Sequence, residues 1–352
     1  MATIDSIEVD TIHAIISDIE SGDYDSETVK RALRVRGISQ QHLFASARQA
    51  RLTSFPDDRA EIRSVIEISN ICKQRCNYCN IGCDETKKYV IPTADLVEIA
   101  SFLYRERNRR VLLLQAGENR DARFVDGVIR ACSLIKDRMP DLQLIGCIGN
   151  LSFDQYRDLK KAGVDRYLLK IEASRPSLYE SVKPNDTWMD RHRCLEQLAE
   201  LEFKVGSGII VGLPGQTEED LVDDLNFLSG LYLDMVSASV FIPGLNTAYE
   251  LMPTGDVETT LNFMALLRIK NPAALIPTTS SLEKLKADGQ YLGLMAGANT
   301  VTIHDGTPQE LQHLFPIYDQ KRFRPNDHHL CEIVERAGLR LMDPSPVESR
   351  PE

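Results

Sequence analysis

From residue 64 onward the chain alternates short apolar runs with longer stretches of helical periodicity, a pattern that restricts it to an α/β fold built on a parallel sheet. The runs are Ser64–Ser69, Val111–Gln115, Leu142–Cys147, Arg166–Ile171, Lys204–Val211, Met235–Phe241, Ala274–Thr279 and Thr300–Ile303. They are rich in β-branched and aliphatic residues, as strands buried on both faces should be. Helical patterns fall between them, among them Phe124–Arg138, Phe153–Ala162, Glu218–Leu228 and Val257–Arg268. Eight such units predict a closed (β/α)8 barrel of the TIM type. The stretch from Ile4 to Arg51 reads instead as short amphipathic helices, one opening at Asp25-Ser26-Glu27 and another at Ser39. The expected organisation is an N-terminal helical extension over residues 1–58, the barrel over 59–320, and a C-terminal helix with a flexible tail over 321–352. The residues after Pro344 are rich in Pro, Ser and Glu, a composition that favours disorder.

The formal net charge is -11 and no basic run is present, which disfavours a nucleic-acid partner because phosphate binding needs a cationic surface. The N-terminal segment lacks an apolar stretch long enough for a signal peptide or a membrane span, so a cytoplasmic protein without a membrane partner is expected. Eight cysteines in 352 residues are too sparse for a disulfide scaffold. In a reducing compartment, a close group of cysteines points to metal binding or catalysis.

Such a group follows the first strand: Cys72, Cys76 and Cys79, spaced C-x3-C-x2-C. In (β/α)8 barrels the chemistry sits at the C-terminal ends of the strands, where this loop lies. Three thiolates from one loop can ligate three irons of a [4Fe-4S] cube and leave the fourth iron open. A zinc site normally takes four ligands, typically as separated pairs. Cys83 follows Cys79 by four residues and reads as a structural thiol, a fourth ligand or a participant in the chemistry. On these residues alone, a non-catalytic iron–sulfur or zinc-binding protein stands beside an enzyme.

With an aromatic residue, Tyr78, before the last cysteine, the motif resembles that of the radical S-adenosylmethionine superfamily. The resemblance implies that S-adenosylmethionine binds the open iron through its methionine amino and carboxylate groups. One-electron cleavage of its C5′–S bond then gives a 5′-deoxyadenosyl radical. It implies further that Tyr78 lies near the adenine, that Gly117 and Glu118 form the motif meeting the methionine amino group, and that Glu172 binds the ribose diol. A carboxylate can accept from both hydroxyls of a diol. Arg191 resembles the residue contacting the methionine carboxylate, which suits a guanidinium fork. Gly208-Ile209-Ile210-Val211-Gly212 is similar to a GxIxG element in which Ile210 covers the adenine.

From about Arg63 to Pro316 the chain resembles the branch containing biotin synthase, methylornithine synthase and the [FeFe]-hydrogenase maturase HydE. The phrases nearest to HydE are Asp165–Leu169, Val205–Gly208, Val211–Thr217 and Ala296–Asn299. Biotin synthase is disfavoured because Gln115 and Gly206 stand where its second cluster needs cysteines, although Cys147 matches a third such position. Lysine, the substrate of methylornithine synthase, is disfavoured because Ser237 and Ser281 replace the Arg and Asp that grip it. HydE usually reads Arg-His-Glu where this chain has Lys170-Ile171-Glu172. The expectation is a HydE-like enzyme working on a small or organometallic substrate, with reduction by a donor such as flavodoxin or ferredoxin. The alternative is a carbon-skeleton rearrangement or sulfur insertion on another small molecule. Candidate catalytic or substrate-facing residues are Cys83, Asn119, Lys170, Ser237, Thr279, Ser281 and His304.

Overall fold

The structure, a computed structural model, describes residues 9–82, 86–317 and 326–341. Cys83 and the tail after Pro344 therefore lie outside the described residues. Three helices open the chain: α1 (Val9–Ser21), α2 (Ser26–Arg34) and α3 (Gly37–Ser54). Asp25 caps α2, its side chain accepting from Thr28 N at 2.8 Å. The helix expected from Ser39 begins two residues earlier, at Gly37.

The barrel strands are β1 (Arg59–Ser69), β2 (Val111–Ala116), β3 (Gln143–Cys147), β4 (Arg166–Leu168), β5 (Lys204–Val211), β6 (Met235–Val240), β7 (Pro277–Thr278) and β8 (Thr300–Ile303). Helices separate them: α4 (Thr93–Glu106), α5 (Ala122–Arg138), α6 (Phe153–Lys161), α7 (Pro176–Val182), α8 (Trp188–Glu200), α9 (Glu218–Gly230), α10 (Val257–Lys270), α11 (Ser280–Leu285) and α12 (Gly289–Met295). Every pairing is parallel and the order runs β6-β5-β4-β3-β2-β1-β8-β7. A single bridge between Met235 and Leu275 completes the circle. The expected TIM-type barrel is thus present, with one thin seam. After it come α13 (Asp327–Arg336) and β9 (Arg340–Leu341), which pairs with the start of β1.

Strand alternation sorts the barrel interior into layers. At the bottom, Glu61 accepts from Arg63 Nε at 2.6 Å and from Arg166 Nη1 at 3.0 and 2.8 Å, all three residues being buried. Above lies an apolar plug of Val65, Val111, Leu113, Ile145 and Met235. Above the plug the inward positions turn polar, and that upper layer opens at the C-terminal ends of the strands.

Candidate functional site

The loop after β1 is stitched to four separate parts of the rim. Lys73 N donates to Glu118 O at 2.8 Å and Asn77 N to Val182 O at 2.9 Å, while Asn77 O accepts from Tyr249 N at 2.9 Å. Asn80 N donates to Ile317 O at 3.1 Å. Side chains add Asn77 Nδ2 to Ser181 O at 2.7 Å, Asn70 Nδ2 to Leu314 O at 2.7 Å and Asn185 Nδ2 to Lys73 O at 3.3 Å. The loop also turns on itself, with Cys79 N donating to Cys76 O at 3.1 Å. Gly82 is required there, because a Cβ would sit 2.5 Å from the Gln74 carbonyl oxygen.

Burial pushes all three cysteine thiols of this loop up, Cys76 to about 11 and Cys79 well above its ordinary range. Such thiols keep their protons until a cation compensates the thiolate. Among the described residues no three His, Cys, Asp or Glu side chains converge on one metal position. Three thiols gathered on one loop but not around a single ion suit ligands that each take a different corner of a cube. The donor set therefore fits a cluster better than a zinc ion.

Gly117 lies directly against this loop. A Cβ there would meet Ile71 O at 2.5 Å and Cys72 Cβ at 2.7 Å. Glu118 is buried and accepts from Gln74 Nε2 at 3.0 Å, Arg191 Nη2 at 3.1 Å and Arg120 Nη2 at 3.3 Å. Burial raises its carboxyl, but Arg191 and then Lys183 outweigh that and hold it below the usual carboxylate range. An opening of about 380 Å³, lined by Lys73, Gln74, Glu118, Arg120, Asp121 and Asn185, reaches this carboxylate. A wider depression of about 880 Å³ involves Ser152, Gln155, Asp190 and Arg193 on the outer flank and shares only Arg120 with it.

Arg191, on α8, is buried and already engaged. Its Nε donates to the Tyr179 hydroxyl at 2.8 Å, and Nη2 lies 3.1 Å from Glu118 and 3.0 Å from Asp186 Oδ2. Asp186 is the hub of a buried network, also accepting from Tyr179 Oη at 2.6 Å and Asn150 Nδ2 at 3.1 Å. Sequence reasoning passed over Gln74, Tyr179, Lys183 and Asp186. The run Lys183-Pro184-Asn185-Asp186, a charged turn just before α8, was the available signal.

Across the mouth, Glu172 accepts from the Tyr78 hydroxyl at 3.1 Å and pairs with Lys170 Nζ at 2.9 Å. Burial raises its carboxyl, and Lys170 and Lys183 more than reverse that. Glu172 has φ +62°, in the left-handed region that non-glycine residues seldom occupy. The fourth strand ends at Leu168, three residues before the expected Ile171, and Glu172 resumes the pairing through a single bridge to Ile209. Ile210 lines the same wall. Its N–H donates to Glu172 O at 3.0 Å and its carbonyl accepts from Gln216 Nε2 at 3.0 Å, so its side chain is what remains for a ligand.

The remaining candidates spread around the upper layer. Lys170 Nζ also reaches Ser239 Oγ at 3.5 Å. Ser237 donates to Ser207 O at 3.4 Å and packs against Gly208, where a Cβ would lie 2.2 Å from the Ser237 hydroxyl. Thr279 and Ser281 share a hydrogen bond of 2.8 Å. Asn119 Oδ1 accepts from Asp121 N at 3.2 Å, shaping the turn into α5. His304 Nδ1 lies 3.3 Å from Glu67 Oε1, both side chains being buried. Glu67 was also missed, although it shares inward parity with Glu61, Arg63 and Val65 on β1.

A profile described as the Radical SAM superfamily matches residues 66–228. The [FeFe] hydrogenase maturase subunit HydE of Thermotoga maritima is 34% identical over 316 residues, covering 87% of this chain and 87% of that protein. A biotin synthase of Staphylococcus haemolyticus is 26% identical over 253 residues, 70% of this chain and 78% of the relative. Among solved structures, methylornithine synthase (PylB) superposes with a TM-score of 0.79 at 21% identity, covering 93% of this chain and 97% of that one. The FeFe-hydrogenase maturase HydG of Carboxydothermus hydrogenoformans gives 0.77 at 19% identity, covering 96% and 80%. At those identities the two structures speak for the fold alone.

Proposed function

We propose a HydE-type role for this chain, which belongs to the radical S-adenosylmethionine superfamily: an enzyme acting on a small or organometallic substrate held in the upper layer of its barrel. The observation that carries the reading is the 34% identity to a HydE maturase along 87% of both chains. The superfamily uses a [4Fe-4S] cluster and S-adenosylmethionine, needs a reductant and acts on small substrates. When bound, cluster and cofactor together supply the electron transfer and C5′–S cleavage that give the 5′-deoxyadenosyl radical.

The chain's own residues divide the remaining work. Cys72, Cys76 and Cys79 are the cluster ligands. Gly117 lets the rim approach the cluster loop closely, and Glu118 offers a carboxylate to the methionine ammonium. Glu172 faces the ribose hydroxyls, with Tyr78 and Ile210 flanking the adenine. Below, Lys170 and the Glu67–His304 pair face the substrate from opposite walls, with Ser237, Ser239, Thr279 and Ser281 between them. Asn119 shapes the adjoining turn. The apolar plug closes the floor and excludes water from the radical's reach.

No helix among the described residues is long and apolar enough to cross a membrane. We place the enzyme in the cytoplasm, reduced by a flavodoxin or ferredoxin. Anaerobic reconstitution is expected to load about four irons per chain, as three-cysteine ligation of one cube requires. Addition of S-adenosylmethionine and dithionite then yields 5′-deoxyadenosine, and Cys76→Ala yields none. A wild-type protein that takes up iron yet releases no 5′-deoxyadenosine would sink the assignment.

A further inference from the structure

The proposed function draws an electron from outside the chain, and the cluster loop shows where a carrier can reach it. On the barrel side the loop faces Glu118 and Glu172: Gln74 Nε2 donates to Glu118 at 3.0 Å and the Tyr78 hydroxyl to Glu172 at 3.1 Å. That side is given over to S-adenosylmethionine and the substrate, and it is too narrow for a protein to enter. The outer side is the approach that remains.

Two features flank the loop there. The first is apolar. Leu251 is 97% exposed and its neighbour Met252 43%. Exposed apolar side chains are ordinary when scattered singly. This pair, however, stands on a segment fastened to the loop. Tyr249 N donates to Asn77 O at 2.9 Å and the Tyr249 hydroxyl to Ser181 O at 3.2 Å, while Met252 N donates to Tyr249 O at 2.9 Å. Gly244, earlier in the segment, packs so closely that a Cβ would lie 2.7 Å from Tyr78 O. The pair is thus held beside the cysteines.

The second feature is charge. Residues 70–90 hold Lys73, Arg75, Lys87 and Lys88 against Asp84 and Glu85, four cations to two carboxylates, or net +2 in a chain of net -11. The two carboxylates lie outside the described residues, and all four cations are exposed. Lys88 Nζ reaches Ile81 O at 3.3 Å, which sets it against the end of the loop. An acidic protein is repelled by the chain as a whole and attracted here, which favours one orientation of approach.

We propose that the outer face of the cluster loop, flanked by Leu251, Met252 and the cations between residues 73 and 88, is the docking surface for a small acidic protein that carries single electrons. This rests on the proposed function, which places a reducible cluster on the loop. In the step itself the carrier is oxidised by one electron and the cluster reduced by one, and no atom passes between the two proteins. Redox encounters of this kind are small, under about 1,200 Å². In them charge sets the rate of approach, while an apolar contact at the centre holds the pair together.

The test follows the cluster of the reconstituted holoenzyme by stopped-flow absorbance after mixing with reduced flavodoxin, reduced ferredoxin or dithionite. Binding of oxidised flavodoxin and ferredoxin is measured alongside by calorimetry. A variant carrying both Lys87→Glu and Leu251→Asp is expected to be reduced roughly tenfold more slowly by the protein carriers that reduce wild type, and to bind them more weakly. Its rate and its 5′-deoxyadenosine yield with dithionite are expected to match wild type. Added salt is expected to slow the protein carriers on wild type. Lys161→Glu, the same charge reversal on the exposed end of α6, is expected to leave their rates unchanged. Equal losses with dithionite would trace the effect to the cluster or the fold and overturn the proposal. So would undiminished rates with the carriers, or an equal loss in Lys161→Glu. A wild type reduced by dithionite but by neither protein would overturn the docking surface and leave the proposed function standing. A wild type that cleaves no S-adenosylmethionine even with dithionite would overturn both.

Discussion

Glu172 occupies a backbone region that costs a residue with a Cβ about 1–3 kcal/mol. It stays there because its surroundings over-determine it. Its N–H donates to Gly208 O at 2.9 Å, its carbonyl accepts from Ile210 N at 3.0 Å, and its carboxylate meets Tyr78 and Lys170. The kink lifts the side chain off the strand and turns it across the barrel mouth. Replacing the carboxylate by an amide keeps the shape but removes the charge and one strong acceptor. Glu172→Gln is therefore expected to weaken S-adenosylmethionine binding by about tenfold while leaving iron content intact. An unchanged dissociation constant would deny Glu172 a role at the ribose.

At the scale of elements, Gln216 ties the end of β5 to its neighbours. Its Oε1 accepts from Gly212 N at 2.7 Å and Leu213 N at 3.3 Å, and its Nε2 donates to Ile210 O at 3.0 Å and Asp224 Oδ2 at 3.3 Å. Asp224, on α9, in turn accepts from Ser174 N at 2.6 Å, two residues beyond Glu172. One helix thus braces both walls of the proposed nucleoside site. Burial pushes the Asp224 carboxyl up to about 6, against an ordinary value of 3.8. The folded state therefore holds this proton through a window in which the unfolded chain has released it. Stability from this group is complete below about pH 4 and is lost as pH rises through about 6. The unfolding free energy of wild type relative to Asp224→Asn should fall by up to about 3 kcal/mol across that window. A pH-independent difference in urea titrations would refute it.

The elements also mark what could be read from sequence. The fifth and eighth strands run as expected, over Lys204–Val211 and Thr300–Ile303. The first strand begins at Arg59 rather than Ser64, because Glu61 and Arg63 look like surface charges. Their partner Arg166 lies 105 residues from Glu61, and no local pattern reports a charge satisfied at that distance. The same reason hid Glu67, whose neighbour His304 follows the eighth strand, whereas the cysteine loop, Glu118 and Glu172 were legible through short motifs. The seventh strand shrinks to Pro277–Thr278, since Thr279 turns directly into α11.

Over the whole molecule, the N-terminal helices work as part of the barrel. Thr260 to Ile269 of α10 are buried without a break, so this helix has no solvent face. Helices α1, α2 and α3 cover it, through Asn262 Nδ2 donating to Leu33 O and Val35 O at 2.9 Å and Arg36 pairing with Asp256 at 2.6 Å. Arg51 crosses from α3 to donate to Leu294 O at 3.0 Å and Ala298 O at 2.9 Å. Arg268 donates to Gly297 O at 2.8 Å and Asn299 Oδ1 at 2.9 Å, which gives the Ala296–Asn299 phrase a structural meaning. Uncovering side chains such as Leu261, Phe263, Leu266 and Leu267 would cost roughly 1.5–3 kcal/mol each, and a few of them equal the stability of a typical domain. A chain starting at residue 55 is expected to be insoluble or to melt without cooperativity by circular dichroism. A soluble fragment with a sharp transition would contradict this.

The seam between β6 and β7, closed by the Met235–Leu275 bridge, behaves like the split in a hoop. A split hoop opens under load at its split, however strong the rest of its circumference, unless something binds it from outside. Here α10 packs against β6 on one side of the split, and the first helices of the chain lie across α10. Seven joints are paired strands, while the eighth has the two hydrogen bonds of one bridge, Leu275 N to Asp234 O at 2.8 Å and Val236 N to Leu275 O at 3.1 Å, with a wrapped bandage of side chains outside it. The seam is thus where the backbone amides of the barrel are expected to exchange with solvent first, with the bandage limiting how far it opens.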